Sequence, residues 1–117
     1  MDIDELKRRL ARFAAERDWD QFHSPKNLAM ALSVEASELL ELYQWLSEEQ
    51  SRRTAEDPVL FQRVCEELAD IQIYLLRLAD KLDVDLARVV DAKIAANARK
   101  YPVALSKGRS TKYTDLS

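Results

Sequence analysis

The sequence predicts an all-α chain, and three observations carry that reading. One glycine and three prolines in 117 residues leave few breaks for hairpin turns. Apolar residues recur at three- and four-residue spacing, the period of a helix face, instead of alternating as in a half-buried strand. The prolines fall at the ends of these periodic stretches and not inside them, so they punctuate helices without breaking them.

The elements follow in order. A first helix covers Asp2 to Arg17, with Ile3, Leu6, Leu10 and Phe13 on one face. The loop "DWDQFHSPKN" follows, and Ser24 then Pro25 supply an N-cap and first helical position for a second helix running to about Trp45. Residues 47–57 are polar and form a connection with a short helical turn. Asp57 and Pro58 repeat the cap signal and open a third helix to about Leu82. "DVD" at 83–85 gives the next turn and cap, and a fourth helix runs from Leu86 to Lys100, where Pro102 stops it. This makes one helical domain over 1–102 and an extended or mobile tail over 103–117. A chain of this length holds a real core but gains from oligomerisation, so a four-helix bundle completed by further copies is expected.

Composition narrows the setting. The chain is 47% apolar and 33% charged with net charge -3, which gives no electrostatic reason to bind a nucleic-acid polymer. Cys65 is the sole cysteine and forms no intramolecular disulfide. Neither a signal peptide nor a run of eighteen apolar residues is visible, so a soluble cytoplasmic protein without a membrane segment is expected.

The chemistry lies in "ALSVEASELLELYQWL" at 31–46. Projected on a helix, Ser33, Ser37, Gln44 and Glu48 form the polar face, while Leu28, Ala31, Leu32, Val34, Leu39, Leu42 and Trp45 form the apolar arc. Glu35 and Glu38 fall inside that arc. In "CEELADIQIYLLRLA", Glu67 and Asp70 are again three apart, sharing their side with Leu60, Ile71, Tyr74 and Leu78, with Asp70 nearer the edge towards Arg63, Arg77 and Lys81. One such acidic pair is ordinarily a solvated face. Two pairs on consecutive helices set among apolar neighbours call for another reason, because a buried carboxylate must be neutralised, paired or bound to a metal. If the second and third helices are antiparallel neighbours, the four acids converge. With no thiol or imidazole among them, they suit Mg²⁺ or Mn²⁺ and not zinc. Magnesium held by carboxylates with open water positions serves phosphate chemistry.

These residues resemble a known family. "EASE" at 35–38 and "ELAD" at 67–70 look like the ExxE and ExxD elements of the MazG-like all-α nucleotide pyrophosphohydrolases. The resemblance extends to the dCTP pyrophosphatase branch through "ERDWDQFHSPKNL" at 16–28, "ELYQWL" at 41–46, "DIQIYLLRLA" at 70–79, "KIAANARKYP" at 93–102 and "KYTDL" at 112–116. It implies a MazG-like bundle, assembled as dimers or tetramers, that cleaves nucleoside triphosphates to monophosphate and pyrophosphate with Mg²⁺. Carried over residue by residue, it makes Glu35, Glu38, Glu67 and Asp70 the metal ligands, with Glu38 also orienting the attacking water. It assigns Lys93, Asn97, Lys100 and Tyr101 to the phosphates, and the first three recur at helical spacing as a stripe of donors. Trp19, His23, Trp45 and Tyr74 match positions for base and sugar, with Trp45 and Tyr74 expected to sandwich the base.

Two classes of function stay open on the sequence. One is a Mg²⁺-dependent pyrophosphohydrolase acting on dCTP or modified triphosphates. The other is a non-catalytic helical oligomer whose acids pair with Lys or Arg from another subunit. They differ in what metal does: the enzyme needs it for turnover, whereas the assembly protein loses only stability when an acid is removed.

Overall fold

A computed structural model describes residues 1–110, so the stretch "KYTDL" at 112–116 lies outside the described residues. The helices are α1 (Ile3–Glu16), α2 (Pro25–Tyr43), α3 (Glu48–Arg52), α4 (Pro58–Lys81), α5 (Leu86–Lys100) and α6 (Val103–Ser106). Single 3₁₀ turns occupy Asp20–Phe22 and Thr54–Glu56, and no strand occurs among the described residues. The four long helices expected from the sequence are α1, α2, α4 and α5.

Local chemistry sets their starts. The side chains of Asp2, Ser24, Asp57 and Asp85 each accept from backbone N–H groups of the first turn they cap, and Pro25 and Pro58 sit where no N–H partner is needed. Ser47 and Gln50 close a reciprocal capping box on α3. The ends are less usual. Asp18 (φ 55°) and Asp83 (φ 53°) take the left-handed conformation that glycine normally supplies, which aspartate tolerates. After α1, the Trp19 N–H donates to Ala14 O at 2.9 Å and the Asp18 N–H to Ala15 O at 3.1 Å, a Schellman turn that reverses the chain. The second helix ends at Tyr43, two residues before the expected Trp45.

The chain forms two compact units, Met1–Asp83 and the residues from Val84 onward, whereas the sequence reading draws one domain over 1–102. The left-handed turn at Asp83 marks the change. In the second unit, the residues after Pro102, expected as an extended or mobile tail, begin with the short helix α6.

In the first unit α4 is the spine, with α2 packed along it most extensively and α1 packed on it less so. The α2–α4 pair is antiparallel: Glu35 and Glu38 meet Glu67, while Glu41, Leu42 and Leu46 share a cleft with Val59, Leu60 and Arg63. The fully buried core is small. Ala14, Leu28, Val64, Leu76 and Ala79 supply it, together with one charged residue, Arg77. Large apolar side chains stay exposed, among them Val34, Leu40 and Leu68. No helix of the described residues is long and apolar enough to cross a membrane.

Candidate active site

The antiparallel register brings two turns of α2 against one of α4 and makes an acidic centre. Glu35 and Glu38, one turn apart on α2, and Glu67 on α4 each offer a carboxylate oxygen, all within 4.8 Å of one another. Glu35 and Glu67 are half-buried and Glu38 is exposed. Oε2 of Glu35 and Oε2 of Glu67 are buried without a hydrogen-bond partner. Such orphaned carboxylate oxygens are costly unless something cationic meets them. None of the ion pairs among the described residues involves these three acids. The Glu35 carboxyl holds its proton more tightly: the neighbouring Glu67 carboxyl, then burial, then Glu38, push its pKa up to about 7. An all-oxygen donor set with two unsatisfied buried atoms fits a hard divalent cation. Asp70, the fourth predicted ligand, lies one turn further along α4 and outside this group of three. It also lines the adjoining pocket.

That pocket, about 260 Å³, lies between α1, the loop after it, and α4. Trp19, His23, Asp70 and Tyr74, four of the residues singled out from the sequence, line it together with Phe13 and Arg77. The Schellman turn at Asp18 swings Trp19 back over α1. There it meets Phe13 edge to face, with ring centroids 5.8 Å apart, and the Arg17 guanidinium covers Phe13 at 3.6 Å.

Sequence reasoning missed the residue that ties this loop to α4. Arg77 is 3% exposed. Its Nε donates to His23 Nδ1 at 3.3 Å, its Nη2 reaches Asp20 Oδ1 at 3.0 Å, and its Nη1 reaches Asp80 Oδ2 at 3.4 Å. Lys81 joins on the same Asp20 oxygen. The hydrogen bond from Lys81, aided by Arg77, lowers the Asp20 carboxyl pKa against the opposing effect of burial. Burial first, then the charge of Arg77, lowers the His23 pKa, with Asp20 opposing. The signal was a lone cation inside the apolar run "YLLRLA".

Trp45 and Tyr74, expected to sandwich the base, lie on opposite sides of the acidic centre. Because α2 and α4 run antiparallel, Trp45 lies beyond the acidic centre in one direction and Tyr74 in the other, each at least seven residues away, or roughly 10 Å of helix rise. Trp45 follows the end of α2 and is 87% exposed. Lys93, Asn97 and Lys100 lie on α5 and Tyr101 caps its end, all exposed and all in the second unit.

The chain is similar to known proteins over most of its length. The model of the MazG-like family matches residues 30–116. The chain is 47% identical to dCTP pyrophosphatase 1 of Rattus norvegicus over 114 residues, covering 97% of this chain and 67% of the relative. The corresponding protein of Bos taurus is 48% identical, with 97% and 68% covered, and that of Homo sapiens 43%, with 97% and 67% covered. The crystal structure of a pyrophosphatase from Archaeoglobus fulgidus aligns with a TM-score of 0.80 at 39% identity, over 87% of this chain and 94% of that one. By this match across most of its length, the chain with the acidic centre on α2 and α4 belongs to the MazG-like family.

Proposed function

We propose that this chain is a Mg²⁺-dependent nucleotide pyrophosphohydrolase that cleaves dCTP, or a 5-substituted dCTP, to the monophosphate and pyrophosphate. The convergence of three carboxylates with two orphaned buried oxygens is the observation that carries this reading. Glu35, Glu38 and Glu67 hold the cation, with Asp70 one turn away as the fourth ligand. When bound, Mg²⁺, or Mn²⁺ in its place, neutralises phosphate charge and lowers the barrier to attack. Glu38, the exposed member of the three, orients a water and accepts its proton as the water oxygen bonds to phosphorus and the α–β phosphoanhydride breaks. On their chemistry, Lys93, Asn97, Lys100 and Tyr101 are assigned to the polyphosphate, being donors at helical spacing on and after α5.

Polyphosphate carries no base information, so selection falls to the pocket of Trp19, His23 and Tyr74, where stacking supplies about 1–3 kcal/mol per base. The dCTP pyrophosphatases it resembles point to cytosine. We further propose a homo-oligomer, dimer or tetramer, acting on the cytoplasmic nucleotide pool. The exposed Val34, Leu40, Leu68 and Trp45 favour burial against another copy.

A panel of nucleoside triphosphates assayed with and without Mg²⁺ tests this. Monophosphate and pyrophosphate are expected only with the metal, with dCTP the best of the four standard deoxynucleotides by kcat/KM. Equal kcat/KM across all four removes the cytosine assignment. Turnover indifferent to metal, or release of the nucleoside diphosphate and inorganic phosphate, overturns the mechanism.

A further inference from the structure

His23 is the only histidine of the chain, and its surroundings decide which of its ring nitrogens carries the proton. A neutral imidazole has one donor and one acceptor nitrogen, whereas a guanidinium has donors only. Arg77 Nε lies 3.3 Å from His23 Nδ1 with hydrogen-bond geometry, so Nδ1 must be the acceptor and the proton sits on Nε2. A protonated imidazole has no acceptor left for Arg77.

Arg77 cannot easily leave this arrangement. It is 3% exposed and held on its other nitrogens by Asp20 at 3.0 Å and Asp80 at 3.4 Å, while Lys81 shares Asp20. The charged groups around His23 are therefore Asp20 from its own loop and Arg77, Asp80 and Lys81 from α4, with Asp70 on the same pocket wall. Burial and the Arg77 charge both act against a second proton on the ring.

We propose that Arg77 is a positioning residue for base selection: by donating to Nδ1 it locks His23 as the neutral Nε2–H tautomer, which offers the substrate base a donor and no acceptor. A base edge of adjacent acceptors, such as N3 and O2 of cytosine, accepts from that donor. The N3–H of thymine or uracil meets a second donor and is disfavoured, because a donor left facing a donor in a pocket goes unpaired. The selection claim rests on the pocket being the base site of a triphosphate hydrolase; the tautomer claim does not.

The sole imidazole makes the test direct. A long-range ¹H–¹⁵N spectrum of the labelled protein without nucleotide, near neutral pH, is expected to show a pyridine-like Nδ1 and a pyrrole-like Nε2. A pyrrole-like Nδ1, or the averaged pair of a free imidazole, overturns the lock with no variant needed. In Arg77→Met the two nitrogens are expected to average, and the dCTP over dTTP ratio of kcat/KM to fall about tenfold, mainly through KM for dCTP. If that chain does not fold, Arg77→Lys keeps a cation between Asp20 and Asp80 but loses the forked Nε donor, and the ratio is expected to fall about threefold. An unchanged ratio in a folded variant refutes the role in selection. A wild-type chain that cleaves no triphosphate refutes the functional reading and base selection with it, while the spectrum still decides the Arg77–His23 lock.

Discussion

Glu35 holds a proton that an exposed glutamate releases far more readily, and this gives the metal-free protein a recognisable pH dependence. Its pKa rises from 4.5 to about 7 because Glu67 and Glu38 crowd it and burial disfavours its charge. Between those values the folded chain binds more protons than the unfolded one, so stability falls as pH rises through the window. With metal removed by chelator, the melting temperature is expected to drop between about pH 5 and pH 7, and Glu35→Gln to flatten that part of the curve. A divalent cation replaces the proton, so Mg²⁺ should raise the melting temperature more near pH 8 than near pH 5. A metal-free profile that is flat across the window contradicts the coupling of Glu35 to Glu67. These acids were legible in the sequence because carboxylates in an apolar arc violate local patterning. Arg77 was not, because its partners Asp20 and His23 are more than fifty residues away and only the fold brings them together.

The helix starts were also legible, since a cap and the turn it serves are neighbours in sequence. Asp57 accepts from two backbone N–H groups at 3.2 Å, and Asp57→Ala is expected to cost about 1 kcal/mol in denaturant unfolding. The helix ends were less so. At the end of α2 the Tyr43 hydroxyl meets Thr54 Oγ1 at 2.9 Å, a contact across the connection that neighbouring residues do not announce. The left-handed Asp18 and Asp83 carry no glycine to announce them. Packing of α4 into the small core concentrates stability in few side chains. Leu76, 1% exposed, is one of the two largest fully buried residues, and Leu76→Ala is expected to cost about 2–5 kcal/mol. A loss under 1 kcal/mol shows that the site collapses freely and that α4 is not the spine of the first unit.

For the whole molecule, the sequence gives the family of the fold but not which apolar residues are left over once it forms. Trp45 reads as part of the apolar arc of α2, yet the helix stops before it and leaves it 87% exposed; Leu40 and Val34 on α2 itself are exposed too. Light scattering at micromolar concentration is expected to return the mass of a dimer or tetramer; the mass of a single chain removes the proposed assembly. The acidic centre needs no other copy to bring its three carboxylates together. Turnover of dCTP by Glu38→Gln in saturating Mg²⁺ therefore tests its role most directly, because the amide keeps the shape and removes the charge. The rate is expected to fall by at least about 100-fold, beyond the usual cost of disturbing groups outside the ligand shell, with helical content unchanged. Cleavage at the wild-type rate by that folded variant contradicts the assignment of the acidic centre as the catalytic site.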